Sequence, residues 1–202
     1  MNKKALSGIK VLECAELISG PYCAKMLDDL GAEVLKVERP MVGDRSRHLG
    51  PFSQDIPHPE QSGLFLYLNT NKKGITLNLE TTTGVRLFKE LVERSDVLVE
   101  NTTPGTLPDL GLGYDEIEKI NPRLVMASIT PFGQTGPYRR YMSSELVTFH
   151  MSGLGYETPR ATERISPDRP PLKGGGHFAE FFAAVNAAAA IAAALYARRA
   201  NG

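Results

Sequence analysis

Glu180 stands in GGGHFAEFFAA, Gly174 to Ala184, where three glycines let the backbone approach a ligand and an apolar helix follows. A carboxylate in a first helical turn meets free N–H groups and the positive end of the dipole, which favour its ionised form by about 0.3–1 kcal/mol. An ionised carboxylate so placed has the makings of a nucleophile. Glutamate is favoured in any first helical turn for the same electrostatic reason, so a plain helix-start role is the alternative. The second place for chemistry is SDVLVENTTPG, Ser95 to Gly105. It reads as a buried strand, VLV, with Asp96 before it, Glu100-Asn101 after it, and a turn that leaves the strand end open. In open α/β sheets, ligands sit beyond the carboxyl ends of the strands.

The elements that must position these residues alternate. Ile9 to Glu13 reads as a strand, Pro21 to Leu30 as a helix ending at Gly31, and Glu33 to Val37 as a strand, which makes one βαβ unit. A loop rich in Pro, Gly and His runs from Gly43 to Ser62. Then come a strand at Gly74 to Leu79, a helix at Thr83 to Arg94 with Leu87, Leu91 and Val92 inward, and a strand at Asp96 to Val99. Tyr114 to Ile120 reads as a short helix and Leu124 to Ile129 as a strand. The pattern predicts a Rossmann-like open parallel sheet with helices on both faces. Beyond Pro131 it predicts a loop, a helix near Ser144 to Gly153, a polar loop to Pro171 and a closing Ala-rich helix. Phe181 to Ala197 approaches membrane-span length, but alanine is weakly apolar and Glu180 and Asn186 interrupt the run. The expectation is a buried helix lying tight against a neighbour, not a membrane span.

The 202 residues are 42% hydrophobic and 23% charged, enough for one globular domain with a real core. Lys+Arg 23 against Asp+Glu 23 leaves no global field for nucleic acid or an anionic membrane. Phosphate binding would need a local patch, for which Arg45, Arg47, Lys72, Lys73, Arg139 and Arg140 are candidates; each also reads as an ordinary solvated surface charge. Cys14 and Cys23 form no CxxC pair, and MNKKALSG carries no apolar signal core, so the reading is reduced and cytoplasmic. His48, His58 and His177 show no metal-ligand spacing with one another, so no metal is expected. Glu38, some eighteen residues past a glycine turn, raises a dinucleotide site. The turn, however, is ELISGP, and Pro21 stands where a further close backbone contact would be needed.

Several blocks in order give the chain a more specific likeness: LSGIKVLE (Leu6 to Glu13) with Ser19-Gly20-Pro21, LGAEVLKVERP (Leu30 to Pro40) with Gly43-Asp44 and Arg47, LNTNKKGITLNL (Leu68 to Leu79), SDVLVENTTPG with Leu110 to Gly113, Asn121 to Leu124, and SITPFGQTGPY (Ser128 to Tyr138). Together they resemble the class III CoA-transferases, the family of formyl-CoA and carnitine CoA-transferases and α-methylacyl-CoA racemases. The resemblance implies that residues 1–202 are the amino-terminal part of the large domain, with the carboxyl-terminal half absent. It also implies an interlocked dimer, or a partner chain, for the whole protein.

It implies a reaction as well: CoA moves between an acyl-CoA and a carboxylic acid through a mixed anhydride on a carboxylate nucleophile. The family's aspartate corresponds to Glu180 here, and a following glycine to Ala184. Glu145, in YMSSELVTFHMSG, matches a second carboxylate near the active site. The racemases' preceding histidine is Ser144, which removes a racemase's base, with His150 a poor substitute. Ser19, Arg39, Leu77, Asn101 and Thr102 match positions that contact CoA, and Arg39 suits a phosphate best. Glu80, Asp109 and Met142 stand where family members can present basic residues. A non-catalytic subunit or scaffold of the same fold is therefore the alternative to an enzyme.

Overall fold

The computed structural model describes residues 4–158 and 170–201. Five parallel strands form one sheet: β1 (Lys10–Cys14), β2 (Glu33–Glu38), β3 (Lys73–Thr76), β4 (Val97–Glu100) and β5 (Val125–Ser128), in the order β3-β2-β1-β4-β5. The helices are α1 (Ser19–Asp29), α2 (Gly63–Leu68), α3 (Thr82–Glu93), α4 (Thr106–Asp109), α5 (Tyr114–Ile120), α6 (Glu145–Met151) and α7 (Phe178–Asn201).

Alternation along the strands sorts side chains to two cores, because successive residues point to opposite faces. Val11, Val97 and Val99 meet α1 and α7 through Cys23, Ala24, Leu27, Ala184 and Ile191. Leu12 and Leu98 meet α3 and α5 through Phe88, Val92 and Ile117. β4 is buried at all four positions, as a central parallel strand covered on both faces must be. The doubly wound reading therefore holds.

Several details differ from expectation. α3 turns Phe88 and Val92, four residues apart, onto the sheet, and Leu87 lies on the outer side at 36% exposure. The loop from Gly43 holds two short 3₁₀ turns, Arg45–His48 and Ser53–Asp55, and α2 follows it. α4 was hidden in the Thr-Thr-Pro-Gly signal; it starts only after Gly105 takes φ +102°. The polar loop expected up to Pro171 falls largely on 159–169, outside the described residues.

α7 lies along α1 with one stripe, Ala184, Ala188, Ile191 and Leu195, at the 3–4 spacing of a single helix face. Burying Ile191 and Leu195 contributes about 1.5–3 kcal/mol each. The close approach expected of alanine is there, but full burial is not: Phe182, Val185 and Tyr196 on the other faces are exposed. Among the described residues α7 is the one helix long and apolar enough to cross a membrane.

Candidate functional site

The strand order reverses between β1 and β4, and the crevice beyond their carboxyl ends is where such sheets take ligands. Asn101 stitches that crevice. Its Nδ2 donates to the Glu16 carbonyl at 2.7 Å and to Ser19 Oγ at 3.2 Å, while its Oδ1 accepts from the Glu16 N–H at 3.0 Å. The two expected CoA contacts Ser19 and Asn101 are thus brought together, and they hold the β1–α1 loop in shape. Gly20 is required beside them, because a Cβ there would lie 2.2 Å from the Ala15 Cβ. No side chain caps α1, and since Pro21 has no N–H, the Ser19 and Gly20 N–H groups are the donors left at its start.

Thr102 turns back instead: its N–H and hydroxyl both donate to the buried Glu100 carboxylate, at 2.7 and 2.6 Å. Arg39 is exposed just past β2, with no ion-pair partner among the described residues. Leu77 packs beside the second core, its N–H donating to the Glu38 carbonyl at 2.9 Å. These three lie at the same end of the sheet as Asn101.

Two lysines are inside, one of which, Lys72, also reads from sequence as a solvated surface charge. Lys72 and Lys36 have side chains only 2% exposed; they flank Glu13, at 2.7 Å each, and Lys36 also meets Asp44 at 2.7 Å. Lys72 is therefore neither a solvated strand start nor free for phosphate. Burial pushes its ammonium down, and Glu13 only partly restores it. For Lys36 burial acts in the same direction, but Glu13 and Asp44 outweigh it and hold the ammonium above its usual range. Arg47 is likewise committed, forked onto Glu38 at 2.8 and 2.9 Å and stacked 3.6 Å from the Phe65 ring. These contacts pin the 43–62 loop over the ends of β1 and β2. Sequence spacing could not reveal them, because the partners lie on different strands and loops that meet only in the fold.

The two carboxylates expected to do chemistry do meet. Glu180 lies in the first turn of α7 and Glu145 is the first residue of α6. Glu145 Oε1 accepts from the Ala179 N–H at 2.6 Å, so it caps the start of α7, and its Oε2 is buried with no hydrogen-bond partner. One donor atom each from Glu145, His177 and Glu180 lie within 4.8 Å of one another. Spacing among the histidines could not single out His177, since its neighbours here are carboxylates. Burial pushes the Glu180 carboxyl above the ordinary range; His177 pulls it down, Glu145 raises it further, and Arg45 pulls it down again. Arg45 also reaches Glu16 Oε2 at 3.1 Å, which ties the Asn101 crevice to the Glu180 end. Arg45 is thus near the site, unlike Arg139 and Arg140, which are simply exposed.

Ser144, His150 and Cys23 are held in structural settings. Ser144 caps α6, accepting from the Val147 N–H at 3.4 Å, and His150 Nε2 sits 3.0 Å from the Leu172 carbonyl. The Cys23 thiol is buried and pushed up to about 12 by desolvation, so it is a core residue and not a nucleophile.

A doubly wound sheet with an open switch-point crevice, and paired carboxylates at a helix start, define an α/β protein with a candidate ligand site. The chain matches CoA-transferase family III over residues 6–202 and belongs to that family. It is 45% identical over 152 residues to the succinyl-CoA–L-malate CoA-transferase beta subunit of Chloroflexus aurantiacus, covering 75% of this chain and 36% of that one. It is 38% identical over 201 residues to the acetyl-CoA:oxalate CoA-transferase of Acetobacter aceti, covering 99% of this chain and 49% of that one. The crystal structure of a CAIB/BAIF family protein from Brucella suis superposes with a TM-score of 0.86 at 36% identity, over 100% of this chain and 51% of that one. The chain thus spans about a third to a half of the length of these relatives.

Proposed function

We propose that the chain contributes the nucleophile of a CoA-transferase, and that the nucleophile is Glu180. The observation that carries this reading is the seat of Glu180 in the first turn of α7, beside Glu145 and His177, in a chain of this family. A Glu180 oxygen attacks the thioester carbon of an acyl-CoA, the C–S bond breaks, and CoA leaves as thiolate with the electron pair. The thiolate then attacks the Glu180 carbonyl of the mixed anhydride, releasing the donor acid and leaving CoA on Glu180. The acceptor carboxylate reverses both steps and takes the CoA away. Every step exchanges one nucleophile for another, so no net proton is needed. Glu145 fixes the start of α7 through the Ala179 N–H, and Arg39 with the α1 start offers charge to the CoA phosphates. The relatives named for L-malate and oxalate make small dicarboxylates the first acceptors to try.

The test is substitution in the protein in its natural assembly. Glu180→Gln abolishes transfer while CoA binding and the melting temperature stay near wild type. Glu180→Asp shortens the reach by about 1 Å, which costs on the order of a hundredfold in a pocket built for glutamate. Equal transfer by wild type, Gln and Asp forms would refute the assignment. A second reading has its own support: Glu80 and Met142 are exposed and Asp109 carries the wrong charge, where basic residues could hold CoA. On that reading the chain is a non-catalytic subunit, and calorimetry would find no CoA binding. In either case the exposed apolar faces of α7 support assembly with a second chain, alike or different; we read α7 as a packing helix rather than a membrane span.

A further inference from the structure

We propose that Glu145, His177 and Glu180 form a site for one divalent transition-metal ion of the zinc type, and that its occupancy shuts off transfer by Glu180. The second half of the proposal rests on the function proposed above; the first half does not. His177 immediately precedes α7 and Glu180 follows three residues later in its first turn, and α6 brings Glu145 across to them. Their three donor atoms lie within 4.8 Å of one another, so one point lies no more than about 2.8 Å from each. Side-chain shifts of under about 1 Å would bring all three to the 2.0–2.2 Å of a bound ion.

Three features favour a cation over an incidental cluster. Glu145 is oriented by the Ala179 N–H through one oxygen, and its other oxygen is buried without a hydrogen-bond partner. Neither Glu145 nor Glu180 has a lysine or arginine ion pair among the described residues; Arg45 is held instead on Glu16. One imidazole nitrogen with two carboxylate oxygens suits zinc, manganese or ferrous ions, whereas calcium takes six to eight oxygens and magnesium keeps most of its waters. The three residues are half-buried, which leaves room for a water as a further ligand. An ion there engages a Glu180 oxygen lone pair, and that pair is then not free to attack a thioester carbon.

The experiment is calorimetric titration of Zn²⁺ into the chelator-stripped protein in its natural assembly, without acyl-CoA. The expected result is one Zn²⁺ per chain, with half-saturation raised at least about tenfold by His177→Ala, the lower end of what even an outer-shell partner contributes. Glu145→Gln should do the same while its carbonyl still accepts from Ala179, which guards against mere loss of the helix start. His58→Ala, at an exposed histidine elsewhere, should change nothing. Added Zn²⁺ should suppress transfer, a chelator should restore it, and any transfer by His177→Ala should resist zinc at tenfold higher concentration. Absence of stoichiometric binding overturns the site, as does binding that ignores His177→Ala and Glu145→Gln. Zinc binding without transfer would sink the Glu180 reaction and leave the metal site standing; transfer without zinc binding would do the reverse.

Discussion

At the residue scale the proposed function rests on Glu180 and Arg39, and the surroundings of the two were legible to different degrees. Glu180 could be placed from its glycines and its helix start, because those signals are local. Its companions could not: His177 gains its meaning only when α6 folds Glu145 against α7, 32 residues away in sequence. Lys72 was misread for the same reason, since its partner Glu13 lies in another strand. Arg39 is the sharper residue-scale test. It is exposed and unpaired among the described residues, so Arg39→Ala should leave the folding stability within about 0.5 kcal/mol of wild type. CoA affinity should fall by about 1.5–3 kcal/mol, the worth of a charge-assisted contact, and less at high salt. Calorimetry with CoA at two ionic strengths checks both; an unchanged affinity would remove Arg39 from the site.

Among the elements, α7 and α1 form the contact that sets the position of Glu180, the proposed nucleophile. Alanines at 184 and 188 let the two backbones close, and Glu180 sits one turn before Ala184 on the same side. Ala184→Leu inserts three carbons into a fully buried position. It should destabilise the fold by about 1–3 kcal/mol and, by displacing the first turn of α7, lower transfer as well. Denaturant midpoints and transfer rates measured together decide it; a neutral effect on both would contradict the tight packing. The strands and most helices were legible because period-two and 3.6-residue patterns are local. α2 and α4 were missed because a six-residue apolar run and a four-residue turn of helix leave too little periodicity to read.

For the whole molecule, the doubly wound sheet was legible from alternating elements, whereas the charge network that clamps its carboxyl end was not. Asp44 and Glu38 are its titrating members. Burial alone would raise Asp44, but the Lys36 charge and hydrogen bond, with the Ser46 and Leu17 N–H groups, hold it below its usual range. Burial likewise opposes Glu38, and the Arg47 hydrogen bonds, with the Asp44 N–H, outweigh it. Both carboxyls bind protons less readily folded than unfolded. Their stabilisation is therefore complete above about pH 4–5 and is lost as pH falls through their lowered folded values. Circular-dichroism denaturation midpoints should be level from pH 7 to about pH 5 and drop toward pH 3, and Glu38→Gln should flatten the drop. A flat profile in the wild type down to pH 3 would contradict the clamp.

The central claim is a covalent one, and mass spectrometry tests it directly. The protein in its natural assembly is incubated with an acyl-CoA and hydroxylamine, which attacks an activated carboxyl and leaves a hydroxamate. The account predicts a hydroxamate on the peptide containing Glu180, dependent on acyl-CoA and absent from Glu145. Transfer proceeding with no modification of Glu180, or with the hydroxamate on Glu145 instead, would contradict it.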